Sequence, residues 1–298
     1  MPDRLQQYLK YHAESSAALD IDPANDCLRY IRDRYELNVE QCYWLAFIYA
    51  SCYSATTTFY IYNEFPDFET VDFGRLQRWW EANRDKLVFQ TDRRWTRSRN
   101  QWVDCVRSYR DLVDLYGSQG GVYAVLKGAN RWQTYDRAFD YFSKVFTFGR
   151  FTMFLYLEMV HTLAGVDLEP YTLDLANAES SRNGLCFVLG RDELMNHFTK
   201  AKLRKQDMDF LTGAFRHVVG QVSALEVAHK TVWSIETTLC AFKKHILEGK
   251  RWVGYYIERQ MKEIQQMQAA HTGGVDWSVL WQFRRETYQP KYLHELKA

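Results

Sequence analysis

Apolar residues recur at three- and four-residue spacing along much of this chain, the period of helices that bury one face. The pattern is clearest over residues 38–62, 98–116, 131–146 and 206–246, and none of these stretches contains a proline. Irregular joints separate them. "NEFPDFETVDFG" (63–74) breaks the pattern with Pro66 and Gly74, and "YGSQGG" (116–121) reads as a flexible turn. "LAGVDLEPYTLD" (163–174) and "EGKRWVG" (248–254) are two further joints. No internal repeat, low-complexity tract or linker interrupts the chain, so the expectation is an all-α protein, one mostly helical body over residues 1–298.

Within "SRNQWVDCVRSYRDLVDLY" the spacing predicts a helix starting near Ser98, with Trp102, Val106, Tyr109 and Leu112 or Val113 as its buried stripe. Arg99, Arg107 and Arg110 fall on or beside its flanks. "TDRRW" precedes it as a loop in which Asp92 orients Arg93 or Arg94 through a carboxylate fork.

Composition agrees with helices: 16% of residues are aromatic, while 5 Pro and 15 Gly offer little punctuation for many short strands. The net charge of +1 excludes a protein held to nucleic acid by charge everywhere, so any polyanion site has to be local. Six scattered cysteines, with no C-x-x-C pair and no secretory signal in "MPDRLQQYLK", point to reduced thiols in a cytoplasm. Residues 43–62 carry no charge over a bilayer length, but their dense Ser, Thr and Tyr hydroxyls suit a buried helix better than a membrane span.

Candidate chemistry begins with six arginines, Arg93, Arg94, Arg97, Arg99, Arg107 and Arg110, interleaved with aromatic residues. One reading is solvated helix faces balanced by Asp92, Asp104 and Asp111. The other is phosphate recognition with base stacking, since arginine matches phosphate oxygens in planar bidentate geometry. A rival constellation is the repeated Glu-x-x-His of Glu158/His161 and Glu226/His229, the spacing of dimetal carboxylate bundles. Such an oxidase needs two further glutamates, for which Glu64, Glu193 and Glu236 are available. No P-loop, H-E-x-x-H, G-x-S-x-G or G-x-G-x-x-G occurs. His12, His217 and His245 stand alone in helical patterns and read as structural.

Several blocks in order, "YWLAFIYASCYSATTTFYIYNEFPDF", "TDRRW" with "SYRDLV", "SSRNGLCFVLGRDE", "ETTLCAFKKH", "RWVGYYIERQMKEI" and "WSVLWQFRRETY", resemble the phage amino acid:DNA transferases, also described as alpha-glutamyl/putrescinyl thymine pyrophosphorylases. The resemblance spans about residues 40–288. It implies a helical protein distantly related to helix-hairpin-helix DNA glycosylases, at work in an infected bacterium's cytoplasm. "LAGVDLEP" stands as the counterpart of the hairpin, though it departs from the L-x-G-x-G form. The implied reaction is thymine hypermodification. The amine of an amino acid or polyamine displaces the phosphate group from phosphorylated or pyrophosphorylated 5-hydroxymethyluracil in DNA, at the 5-methylene carbon. The implied partners are that DNA and the free amine, with no membrane. A non-catalytic DNA-binding module is the remaining alternative.

That chemistry assigns tasks. The expelled phosphate needs preorganised cations, for which the candidates are Arg93, Arg94 and Arg110, joined by Arg150 of "FGRF" and Arg182 of "SRNG". The amine needs a proton acceptor, with Asp92 and Glu236 as candidates. Asn183 is the candidate for the uracil edge, and Trp44, Tyr53, Trp95 and Tyr109 for an aromatic pocket around an everted base. No cofactor is firmly implied, and a divalent cation on the phosphates stays open as an alternative without a ligand signature.

Overall fold

Short polar side chains set where the helices begin. Asn38, Ser54, Asp72, Ser118, Asn130 and Thr231 each accept a hydrogen bond from a backbone N–H of the turn that follows. Gly165, Gly190 and Gly249 end helices in the left-handed conformation. The computed structural model describes residues 4–89, 92–195, 203–271 and 273–293, with the side chains of 92–98 outside that description.

Among the described residues the regular structure is helical: α1 (Arg4–Ala17), α2 (Pro23–Arg34), α3 (Val39–Cys52), α4 (Ala55–Glu64), α5 (Phe73–Asn83), α6 (Asp92–Asp114), α7 (Gln119–Leu126), α8 (Arg131–Phe142), α9 (Arg150–Ala164), α10 (Glu179–Leu189), α11 (Lys205–Ser223), α12 (Val232–Glu248), α13 (Tyr255–Ala270) and α14 (Ser278–Thr287). The all-α expectation holds. The chain forms two units interleaved in sequence. One takes residues 1–23, 170–259 and 288–298, and the other takes 24–169 and 260–287.

In the first unit α10 packs along α12, and α1 packs on both. The approach is close at Gly184, where a Cβ would lie 2.6 Å from the Leu239 carbonyl oxygen. Tyr8, Phe187 and Phe242 fill the space beside that crossing.

In the second unit α3 packs along α9 and is buried from Cys42 to Cys52. Its polar groups are satisfied internally: Trp44 Nε1 donates to the Phe65 carbonyl at 2.7 Å, and Ser51 Oγ accepts from Trp102 Nε1 at 2.8 Å. That accounts for the charge-free run at 43–62, and no helix among the described residues is long and apolar enough to cross a membrane. The stripe on α6 is Trp102, Val106, Tyr109 and Val113, all buried, with Leu112 half-exposed.

Four local expectations are corrected. The run 38–62 is two helices, broken at Tyr53, whose φ of 55° ends α3 before Ser54 caps α4. The arginine helix starts at Asp92 rather than near Ser98, so "DRRW" is helical backbone and not a loop. Gly120 and Gly121 lie inside α7, where the Glu40 carboxylate accepts from the N–H groups of Gln119 (3.0 Å) and Gly120 (2.8 Å). The run 206–246 breaks between Ser223 and Val232.

Candidate functional site

The polar cluster of the first unit is built by two helices lying side by side. Glu236 on α12 receives the Ser181 hydroxyl of α10 on Oε1 at 2.6 Å. The same oxygen takes the Cys240 thiol, one turn along α12, at 3.1 Å. Burial first, and then the Glu236 carboxylate, push the Cys240 thiol well above its usual range, so it stays protonated as a donor. Both donors engage Oε1, which leaves Oε2 as the acceptor for an incoming proton. Next to Glu236, Thr237 donates to Asp22, a residue held at a φ of 50°.

Arg182 and Asn183 follow Ser181 on α10 and are each only 4% exposed. Arg182 has no carboxylate within ion-pair distance among the described residues, and its Nε lacks a hydrogen-bond partner. A guanidinium buried without an anion is costly. Its charge is felt by Cys186 on the next turn: burial lifts that thiol to about 11, and Arg182 opposes the shift. The start of α10 is also uncapped, since Ala178 offers no side-chain acceptor. A buried cation and unclaimed helix N–H groups on one helix are what an anionic ligand completes.

The second unit holds the other candidates. Asp92, Arg93, Arg94 and Trp95 lie on the helical backbone of α6 with side chains outside the described residues. Arg110 donates to the Phe68 and Glu69 carbonyls and lies 4.0 Å from the Phe68 ring centroid, so its guanidinium is engaged in pinning that loop. Arg99 pairs with Asp85 and Arg107 with Asp104, the ordinary reading of a charged helix face. Trp44 and Tyr109 are fully buried. Trp44 is stacked on Phe47, while Tyr109 is stacked on Phe47 and bonded to Gln119 and Tyr156. Tyr53 is half-buried, edge-on to Phe151 at 5.6 Å, and Phe151 is 38% exposed beside Arg150 at the first turn of α9. A left-handed tyrosine next to an exposed ring is a strained arrangement of the kind functional sites retain.

Other buried polar groups are held by partners that residue order does not indicate. Glu158 accepts from Asn25 at 2.8 Å, Glu263 accepts from Ser54 at 3.1 Å, and Arg284, fully buried, donates to Gln260 at 3.3 Å. Ser181 and Cys240, partners of Glu236, were also not singled out. Their signal was membership of the blocks "SSRNGLCFVLGRDE" and "ETTLCAFKKH", whose pairing only the fold supplies. The dimetal template fails on geometry. Glu226 and His229 sit in the loop between α11 and α12 rather than on a helix face, and His229 is bonded to Ser16. Among the described residues no group of three His, Cys, Asp or Glu side chains is placed to hold a metal ion. "LAGVDLEP" is no tight helical hairpin either, because after Gly165 the chain stays non-helical to Ala178.

A family model described as amino acid:DNA transferase matches residues 17–250. The chain belongs to that family. The match starts earlier than the resembling blocks, contains α10 and α12 entire, and ends before both "RWVGYYIERQMKEI" and "WSVLWQFRRETY". The chain is also 26% identical over 248 residues to a serinyltransferase of Salmonella phage ViI, covering 77% of this chain and 59% of that protein. It thus spans about three-fifths of that relative's length. No solved structure matches. In this amino acid:DNA transferase family member, Ser181, Arg182, Asn183, Glu236 and Cys240 all fall inside the matched region.

Proposed function

We propose that the chain transfers an amine, from an amino acid or polyamine, to the 5-methylene carbon of phosphorylated or pyrophosphorylated 5-hydroxymethyluracil in DNA. Family membership supports the class of reaction, and the observation that carries the site is the buried Arg182 guanidinium, which has no anionic partner among the described residues. The amine nitrogen forms a bond to the methylene carbon as the bond from that carbon to the phosphate oxygen breaks. The oxygen keeps the electron pair and leaves as phosphate or pyrophosphate, and the nitrogen gives up a proton. Glu236 Oε2 takes that proton, while Ser181 and Cys240 hold the carboxylate through its other oxygen. Arg182 and the first N–H groups of α10 receive charge that grows on the departing phosphate, and Asn183 is the candidate for the uracil edge. In the second unit, taken by itself, Arg93, Arg94 and Arg150 are candidates for phosphate, Tyr53 and Trp95 for the face of a base, and Asp92 for the amine.

The test incubates the full chain with DNA bearing pyrophosphorylated 5-hydroxymethyluracil and a panel of glycine, serine, glutamate and putrescine, followed by nucleoside mass analysis. Serine belongs in the panel because the phage ViI relative is named for it. A nucleoside gaining the mass of one amine is the expected result. DNA binding with no product would replace the transferase with a binding module. Arg182→Ala is expected to lower turnover roughly 100- to 1,000-fold with the helical circular dichroism unchanged. Near-normal turnover would remove Arg182 from the site.

A further inference from the structure

The last turns of α12 and the turn joining it to α13 concentrate charge that the chain as a whole lacks. Residues 243–252, "KKHILEGKRW", set Lys243, Lys244, Lys250 and Arg251 against one carboxylate, Glu248, an excess of three positive charges in a protein whose total is +1. Lys250 pairs with Glu248 at 3.0 Å, and both side chains remain well exposed. Lys243, Lys244 and Arg251 have no ion-pair partner among the described residues. Apolar surface is mixed with this charge: Ile246 is 47%, Leu247 63% and Trp252 45% exposed.

The turn is held rigidly from beneath. Gly249 closes α12 in the left-handed conformation, and Arg251 follows at a φ of 58° with its guanidinium 4.3 Å from the Tyr255 ring and 4.9 Å from that of Tyr256. Tyr11 donates to the Arg251 carbonyl at 2.6 Å. The Asp20 carboxylate accepts from the N–H groups of Gly254 (2.7 Å) and Ile257 (2.9 Å). Asp20 therefore occupies the start of α13, and an external phosphate has to be met by the side chains of the turn rather than by helix N–H groups. Trp252 stands edge-on to Tyr255 at 5.2 Å, with nearly half its surface in water.

We propose that this turn grips DNA, with Lys243, Lys244 and Lys250 on backbone phosphates and Trp252 stacked on an unpaired base. Lysines flanking an exposed indole on a fixed backbone match a strand that offers both phosphates and π-faces. The choice of DNA as partner rests on the transferase reading, while the location of the grip rests on the turn itself.

The test measures binding of the full chain to an unmodified 20-nucleotide single strand and its duplex across a salt series. Triple substitution Lys243→Ala, Lys244→Ala, Lys250→Ala is expected to reduce the slope of log affinity against log salt by about two to three. Trp252→Ala is expected to weaken single-strand binding roughly tenfold with the slope unchanged. Lys10→Ala, an exposed lysine of α1, is the control and leaves both quantities as in the wild type. If the wild type binds but the triple variant keeps its slope, the grip is elsewhere and the transferase reading stands. A wild type that binds neither strand form at low salt overturns both. Retained DNA slope with lost binding to phosphatidylserine vesicles would assign the turn to a lipid surface and overturn the proposal.

Discussion

Replacing Gly184 with alanine sets two effects of opposite sign against each other. Alanine in a helix interior is favoured over glycine by about 1 kcal/mol. Against this, the new methyl would lie 2.6 Å from the Leu239 carbonyl oxygen, 2.7 Å from its carbon and 3.1 Å from Leu239 Cβ. The obstacle is mostly backbone and cannot rotate away, so α10 and α12 have to part by roughly 0.8 Å to regain ordinary contact. Overpacking of this kind costs about 1–3 kcal/mol, and an immovable neighbour puts it at the upper end. The expected net change is a loss of about 1–2 kcal/mol. Moving the helices also stretches the Ser181–Glu236 hydrogen bond, now 2.6 Å, so transfer activity falls together with stability. Urea unfolding followed by tryptophan fluorescence reads the first effect. Gly213→Ala and Gly220→Ala on α11 are the internal comparison, because an added Cβ there meets nothing within 4 Å. Each is expected to gain up to about 1 kcal/mol. A Gly184→Ala protein as stable as the wild type, beside a stabilised Gly213→Ala, would show that α10 and α12 do not approach this closely.

Two further outcomes follow from the titrating groups. Burial outweighs the backbone hydrogen bonds to Asp20 and raises its carboxyl from 3.8 to about 7. A raised folded value means its contribution is fully present below pH 3.8 and is lost as pH rises through 7, by on the order of a few kcal/mol. Asp20→Asn should flatten that part of the stability profile, and an unchanged profile would mean that folding does not raise the Asp20 carboxyl. Glu236→Gln keeps the side chain's shape but removes its basicity, so turnover is expected to fall roughly 100- to 10,000-fold. Turnover within about threefold of the wild type would point to another base.

What the chain reveals by itself is local. The spacing of Trp102, Val106, Tyr109 and Val113 marks one face of α6, because the periodicity of a helix acts within a turn or two. The all-α class and the family blocks were legible for the same reason: both are read from contiguous stretches. The break at Tyr53 was not, since the apolar pattern runs through it and only the backbone's left-handed residue shows the stop. Neither was the role of individual aromatic rings. Trp44 and Tyr109 are of the types that stack on bases, yet tertiary packing closes both inside the core, and the exposed indole of Trp252 stands in a turn that read only as an irregular joint. Each unit is assembled from separated stretches of chain, so no linker marks a boundary between them. The meeting of Ser181 with Glu236 across 55 residues was likewise decided by the α10–α12 crossing. A proton acceptor and its donors are fixed by distance in space, and residue order constrains that distance only weakly once the separation exceeds a helix length.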